Sequence, residues 1–267
     1  MSTASLWLDT CGDLTPRPAL PGDRTADIAI VGAGYTGLWT AHHLLRHDPS
    51  LRVVVIEREI AGWGASGRSG GWCSALFPVA WARRAARYGD DAARRMRDTL
   101  RHTVADIGAW CAAHDVDFVR GGTLTLARGT AQVARLRGRE GWVAADAVRE
   151  RVKVRNTAGG VFDPHCAATH PAKLVRSLAA AVESQGGVIF EKTSALRITP
   201  GRVDTASGTL RADVVIRATE GYTCELPGLR RALAPVRSLV IATEPLATSV
   251  WDSIGWEGRE TLADDRH

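Results

Sequence analysis

A run of six residues, Gly32-Ala33-Gly34-Tyr35-Thr36-Gly37, has the spacing G-x-G-x-x-G, and Glu57 follows 20 residues after its last glycine. Each position has a reason if the ligand is a dinucleotide. Gly32 permits a tight turn, Gly34 lets bare backbone approach a pyrophosphate, and Gly37 lets a helix pack close to a strand. Tyr35 and Thr36 fall where a helix N-terminus aims N–H groups and partial positive charge at phosphate. A carboxylate at Glu57, with Arg58 beside it, would accept bonds from a ribose and repel a 2′-phosphate.

These residues act together only if particular elements hold them. Asp27–Val31, D-I-A-I-V, is a short apolar run with β-branched residues and reads as a buried parallel strand. Leu38, Ala41, Leu44 and Leu45 then recur at helical spacing, and Pro49 lies beyond the helix end. L-R-V-V-V-I-E is a second buried strand ending at Glu57. Strand, glycine turn, helix and strand make a βαβ unit.

A second small-residue stretch comes next: Gly64-Ala65-Ser66-Gly67-Arg68-Ser69-Gly70-Gly71. A nicotinamide-binding fold has no standard use for such a loop directly after the acid. A longer flavin dinucleotide does. Ala65, Ser66, Gly67, Gly70 and Gly71 would let backbone donors reach it, and Arg68 would neutralise phosphate or sit beside the flavin. The plainer reading of this stretch is a flexible surface loop.

Further along, Asp90 to His114 reads as a long helix with Met96, Leu100, Val104, Ile107 and Cys111 on one face. V-D-F-V-R and G-T-L-T-L-A read as strands. His170-Pro171 opens a helix through Ser184, with Leu174, Leu178, Ala181 and Val182 inward, and Gly186-Gly187 ends it. V-I-F-E, A-L-R-I-T, G-R-V-D-T, G-T-L-R and A-D-V-V-I-R-A-T read as successive strands.

Composition narrows the class. Hydrophobic residues are 45% and charged residues 24%, ordinary for a globular chain. No apolar run reaches the ~18 residues needed to span a bilayer. The N-terminus M-S-T-A-S-L-W-L-D-T lacks a basic patch before an apolar core, so no secretory signal is expected. Five widely spaced cysteines without C-x-x-C argue against a disulfide framework or structural zinc, and a reducing cytoplasm is expected. The net charge of +5 comes from 31 Arg and 3 Lys spread along the chain. The densest group, Arg94 to Arg101, is mixed with acids, so no nucleic-acid partner is expected. His42-His43 diverge on a helix, and His165, Cys166 and His170 lack a fourth ligand; no metal site is expected. No nucleophile elbow suggests a Ser–His–Asp triad.

The chain resembles the FAD-dependent amino-acid and amine oxidoreductases of the D-amino-acid oxidase type, which include glycine oxidase, sarcosine oxidase and γ-glutamylputrescine oxidase. The resemblance rests on I-V-G-A-G-Y-T-G-L, V-V-V-I-E-R, G-A-S-G-R-S-G-G, H-P-A-K-L-V-R-S-L-A, A-D-V-V-I-R-A-T-E-G-Y-T and L-A-P-V-R-S-L-V-I-A-T-E-P-L, in that order over almost the whole chain. It implies FAD as cofactor and a small amine or amino acid as substrate. Ala195 would offer backbone contacts near the adenine, and the A-T-E-G segment from Ala218 and Thr219 to Gly221 would close over the dinucleotide. Ser69 stands where relatives commonly have Asn. Family members continue past the position of His267 into a further glycine-rich stretch and much of the substrate wall. An N-terminal portion or a truncated product is therefore expected.

The expected fold is α/β: a Rossmann-like FAD-binding domain from 26–80 and 167–230, interleaved with a mixed or antiparallel substrate lobe from 81–166 and 231–267. Residues 1–25 are expected to form an irregular arm. Strands are expected after Val236, with Val240, Ile241 and Trp251 left under-covered. The implied reaction is oxidation of a C–N bond by hydride transfer to flavin N5. It needs no protein base, so no catalytic residue is assigned; Arg68 is the candidate cation for reduced flavin. The alternatives are a nicotinamide-dependent dehydrogenase and a non-catalytic fragment of an FAD domain.

Overall fold

The computed structural model describes residues 5–265. The chain forms two compact units: one from the residues up to Gly70 plus His170–Ile241, the other from Gly71–Thr169 plus Ala242 onward. The first unit opens with α1 (Leu6–Asp9), β1 (Arg24–Val31), α2 (Tyr35–His47), β2 (Val53–Ile56) and a 3-10 turn at Ala65–Gly67. The second contributes β3 (Trp72–Ser74), α3 (Trp81–Tyr88), α4 (Asp90–Ala113), β4 (Phe118–Val119) and β5 (Thr123–Ala127). It continues with α5 (Thr130–Leu136), β6 (Trp142–Ala144), α6 (Ala145–Arg151), β7 (Gly159–Asp163) and β8 (Cys166–Thr169). The chain then returns to the first unit through α7 (Pro171–Ser184), β9 (Val188–Phe190), β10 (Arg197–Thr199), β11 (Arg202–Asp204), β12 (Thr209–Arg217) and a 3-10 turn at Glu220–Glu225. It ends in the second unit with α8 (Thr248–Ile254) and β13 (Thr261–Asp264).

The first unit is an α/β sheet of six strands in the order β10-β11-β12-β1-β2-β9. β12, β1, β2 and β9 run parallel, and β10 and β11 add an antiparallel edge. Both faces of the centre are covered, as the continuous apolar runs require. The register pairs Ala29 with Val54 and Val31 with Ile56, all in one core cluster with Leu20 and Phe190. The alternate pairs, Ile28 with Val53 and Ile30 with Val55, take the other face, where α2 packs on β1 and β2. Pro171 starts α7, and the His170 ring Nδ1 accepts the Lys173 N–H at 3.2 Å, satisfying one of the helix's open donors. Leu174, Val175, Leu178, Ala179 and Val182 bury its inner face; Ala181 sits at the margin.

The second unit holds a four-stranded sheet, β13-β5-β7-β6, and a three-stranded sheet, β3-β8-β4. All pairings are antiparallel except β13 with β5. Leu124, Leu126, Val148 and Val152 form a core there. On α4, Ala93, Val104 and Cys111 are buried, whereas Met96, expected on that face, is 39% exposed.

Several boundaries differ from the sequence reading. β3 pairs with β8, so residues 71–80 and 167–169 are drawn into the second unit, and residues 231–241 stay with the first. The segment 1–25 carries the one-turn helix α1, and its Leu8 and Leu20 are buried; residues 1–4 of that arm, and 266–267 of the last segment, lie outside the described residues. G-T-L-R and A-D-V-V-I-R-A-T merge into the single strand β12. The expectation of strands after Val236 is met only in part: no regular element occurs from 232 to 247, where the backbone pairs with no neighbouring strand, but β13 forms further on and pairs with β5. Val240, Ile241 and Trp251 are exposed, as are Val236 and Leu239. No helix among the described residues is long and apolar enough to cross a membrane.

Candidate functional site

At the C-terminal ends of β1, β2 and β12 lies a cleft of about 270 Å³. β1 is the first strand of the sheet and has neighbours on both sides, β2 and β12, so the chain's crossovers leave in opposite directions from it. Open α/β sheets bind ligands at such a switch point.

The first glycine turn forms the floor. Gly32 has φ +109°, and a Cβ there would come 2.5 Å from the Ala218 carbonyl oxygen. Ala218 is held in place by its own N–H, which donates to Val31 O at 2.9 Å. A Cβ at Gly37 would lie 2.0 Å from Gly32 O, so only glycine lets α2 start this close to the turn. Leu38 N–H donates to Gly34 O, which leaves Thr36 and Gly37 N–H with no carbonyl a turn behind them. Tyr35 N–H is taken by Ser66 Oγ at 3.0 Å, and the Tyr35 hydroxyl donates to Pro171 O at 2.9 Å. Gly34 faces the same serine: a Cβ there would sit 2.9 Å from Ser66 Oγ.

The second small-residue stretch begins two residues earlier than its sequence suggested. Gly62-Trp63-Gly64-Ala65-Ser66-Gly67 repeats the G-x-G-x-x-G spacing. Gly62 has φ +83°, and a Cβ on Gly67 would strike Gly62 O at 2.2 Å, the same contact that joins Gly37 to Gly32. Gly62 N–H donates to Ala33 O at 3.0 Å, stitching one turn to the other. Within the stretch, Ala65–Gly67 form a 3-10 turn with Gly67 buried.

Glu57 lines the cleft at the end of β2. Its Oε2 accepts Ala33 N–H at 2.9 Å and its Oε1 accepts Glu59 N–H at 3.0 Å. A carboxylate offers about four acceptor positions, so capacity for a diol remains. Burial pushes the Glu57 carboxyl above the usual carboxylate range; the two backbone donors and Arg58 oppose this, and the Glu191 charge adds to it. The exposed Arg58 pairs with Glu225 at 2.6 Å and lies over the Tyr222 ring at 4.7 Å. It thereby ties the end of β2 to the turn after β12. Thr219 Oγ1 and Thr223 Oγ1 are 2.7 Å apart within that turn.

Of the residues expected to hold cofactor, Gly32, Gly34, Tyr35, Thr36, Glu57, Arg58, Ala65, Ser66, Ala195, Ala218 and Thr219 line this cleft. Gly37 and Gly67 do not; they are the packing glycines of the two turns. Arg68 is not among the lining residues either; it donates from Nε to the O of Trp63, a cleft residue, at 2.7 Å and stacks over the Trp63 ring at 4.5 Å. A Cβ on Gly70 would meet open space, and Gly71 O accepts from Thr169 N–H within the second unit. Sequence reasoning passed over Gly62, Trp63, Thr193, Ser194, Tyr222 and Glu225, which also line the cleft. Gly62 was open to discovery from its spacing alone; the others have no local signal.

The cleft suits a dinucleotide: open helix N–H groups at one wall, a carboxylate at another, and backbone left bare where side chains would fill the space. Residues 27–267 match the family described as FAD dependent oxidoreductase (DAO), and the protein belongs to that family. Its cofactor is therefore FAD, and the nicotinamide-dependent alternative is set aside. Among curated relatives, the chain is 29% identical to γ-glutamylputrescine oxidoreductase of Escherichia coli over 94% of its own length and 63% of that protein's. It is 30% identical to the probable oxidoreductase OrdL of Rhizobium meliloti over 86% and 57% of the two chains. Glycine oxidase from Geobacillus kaustophilus shares the fold at a TM-score of 0.59 and 22% identity, over 77% of this chain and 58% of that one. The chain thus spans about six tenths of the length of these proteins.

Proposed function

We propose that this chain supplies the FAD-binding half, Rossmann-like in its first unit, of an enzyme that oxidises the C–N bond of a small amine or amino acid. The observation that carries this reading is one cleft lined by both glycine turns and by Glu57. When bound, FAD supplies the two-electron acceptor, with hydride arriving at flavin N5. The protein's part is to bind and orient. Thr36, at the start of α2, lines the cleft where a helix N-terminus favours an anionic group. Glu57 accepts from ribose hydroxyls while its other bonds hold the Ala33 backbone. The turn at Glu220–Glu225, tied to Arg58, lines the cleft together with Glu57. The substrate class is supported by the names of the relatives, one acting on a polyamine conjugate and one on glycine. The second unit, with its antiparallel sheets, is the candidate substrate lobe. Five widely spaced thiols suit a reducing cytoplasm.

The test is direct. Purified protein, stripped of cofactor, is titrated with FAD and with NAD, following flavin or protein fluorescence. Saturable FAD binding with recovery of flavin absorbance bands supports the reading. Binding of NAD in preference to FAD, or of neither, overturns it. Anaerobic addition of candidate amines and amino acids to the loaded protein then reports the substrate class through bleaching of the flavin band.

A further inference from the structure

One fully buried carboxylate has no role in the cleft as described. Glu191 follows β9 and is 0% exposed, yet it does not line the cleft. A buried charge persists only where donors surround it. Here two come from the N-terminal arm: Arg17 N–H reaches Glu191 Oε2 at 2.7 Å, and the Arg17 guanidinium reaches Oε1 at 3.0 Å. The third comes from Ala61 N–H, which donates to Oε1 at 2.8 Å. Ala61 is the residue immediately before Gly62, where the second glycine turn begins.

The arm makes further bonds along the same line. Glu191 N–H donates to Pro18 O, and Leu20 N–H donates to Thr193 Oγ1 at 3.0 Å. Thr193 N–H donates in turn to Glu57 O at 2.8 Å. Leu20 is buried in the sheet's core cluster. The other edge of the Arg17 guanidinium forms two parallel 2.7 Å bonds to Glu183 at the end of α7. One arm residue therefore spans α7 and Glu191, and Glu191 spans two walls of the cleft: the second glycine turn and the segment starting at Thr193. Lys192, between them, holds φ +49°, a conformation that a lysine keeps only when its surroundings fix it.

We propose that the N-terminal arm is a strap on the dinucleotide cleft, with Arg17 and Glu191 as positioning residues that set its affinity by fixing Ala61–Gly62 and Thr193. This rests on the FAD reading above, and the experiment separates the two. Full-length wild type, Arg17→Ala, Arg17→Lys, Glu191→Gln and Glu183→Ala are compared by FAD titration and by amide hydrogen exchange of the cofactor-free protein, at a temperature where circular dichroism shows each fully folded. The strap predicts a 10-fold or greater loss of FAD affinity in Glu191→Gln and Arg17→Ala. It predicts faster exchange at Ala61, Gly62 and Thr193, with α2 amides unchanged. Arg17→Lys, which keeps charge but loses the fork, falls between, and Glu183→Ala changes affinity less than threefold. A merely structural role would speed exchange across the unit and leave the affinity of the folded fraction alone. Affinities within twofold of wild type in folded Glu191→Gln and Arg17→Lys would overturn the strap, and these two variants decide if Arg17→Ala does not fold. Absence of FAD binding in wild type overturns the cleft reading instead, and the exchange pattern still judges the strap.

Discussion

The two glycine turns of the first unit invite comparison. Gly32 to Gly37 and Gly62 to Gly67 share a spacing, a positive φ at the first glycine, and a contact between the last glycine and the first one's carbonyl oxygen. Each also has a carboxylate on a nearby backbone N–H: Glu57 on Ala33 within the first, Glu191 on Ala61 just before the second. They part after the last glycine. The first runs on through the rest of α2, which spans 13 residues from Tyr35 and packs on the sheet; in the second the 3-10 turn, Ala65–Gly67, stops at the last glycine. The steric rule for a tight glycine turn is thus independent of the element it leads into. The buried apolar stripe of Leu38, Ala41 and Leu45 makes the helix persist; Arg68-Ser69-Gly70 offers no such stripe.

The largest break in the comparison comes from its shared contact. Gly37→Ala places a methyl 2.0 Å from backbone that is itself hydrogen-bonded, so neither side can yield. A loss of roughly 2–3 kcal/mol in urea unfolding is expected, the usual scale of overpacking. Gly67→Ala, on a three-residue turn rather than a 13-residue helix, should cost about half as much on that same scale. Equal losses would mean that the helix adds nothing to the constraint.

The two carboxylates sharpen the comparison next, because only Glu57 faces the cleft. Glu57→Gln should weaken FAD by roughly 1.5–3 kcal/mol, the scale of hydrogen bonds to a charged group. In wild type the Glu57 pKa lies above its ordinary value of 4.5. Ribose hydroxyls favour the ionised form, so FAD affinity should rise as pH rises through that raised pKa. Stability of the cofactor-free chain should move the other way. A carboxyl whose pKa folding raises contributes stability at low pH that is lost as pH climbs through the folded value. Glu57→Gln should flatten both slopes; titration and denaturation followed upward in pH from the ordinary carboxylate value of 4.5 would show it.

The smallest effect separates the middle glycines. Gly34 faces Ser66 Oγ, a side chain of the other turn, whereas a Cβ on Gly64 would meet the Tyr222 ring at 3.2 Å. Gly34→Ala and Ser66→Ala should each cost about 1 kcal/mol, from crowding in one and a lost Tyr35 N–H partner in the other. The double variant should cost less than the sum, as a double-mutant cycle reads for touching residues. Gly64→Ala in either background should simply add. Additivity at Gly34 would mean that Ser66 moves aside freely.

Much of the first unit was legible in the residues. The turn at Gly32, its flanking strands, Glu57, and the helix opening at His170-Pro171 are encoded locally, by φ requirements and by hydrophobic period, and they appear where those rules place them. The second turn was half legible. Starting it at Gly64 hid Gly62 because Trp63, a bulky residue, interrupts the small-residue run; counting glycines at intervals of two and three would have recovered it. The contacts of Arg68 were not legible, because charge alone does not say which way a side chain turns, and Trp63 offers it both a carbonyl and a ring. Glu191, Arg17, Tyr222 and Glu225 were beyond reach, since their partners lie more than a hundred residues away in sequence. Met96 failed for a simpler reason: the buried stripe of α4 runs through Ala93 rather than through the larger residue. Of the strands expected after Val236, β13 forms because β5 offers it an edge, whereas 232–247 has no neighbour to pair with, and hydrophobicity does not supply one.

The position of β1 at the centre of the sheet also sets an order of events during synthesis. Its partner on one side, β2, comes within thirty residues, but Arg24 to Val31 pair on the other side with Leu210 to Arg217. At ordinary ribosomal rates of about 5–20 residues per second, β1 waits roughly 10–40 s with one edge open while most of the second unit emerges. The glycine turn that β1 carries is meanwhile without Ala218, the carbonyl that closes over Gly32. The nascent chain therefore owns both glycine turns long before it owns a closed cleft, and FAD capture is timed by translation of β12 rather than by translation of the motif that names the site.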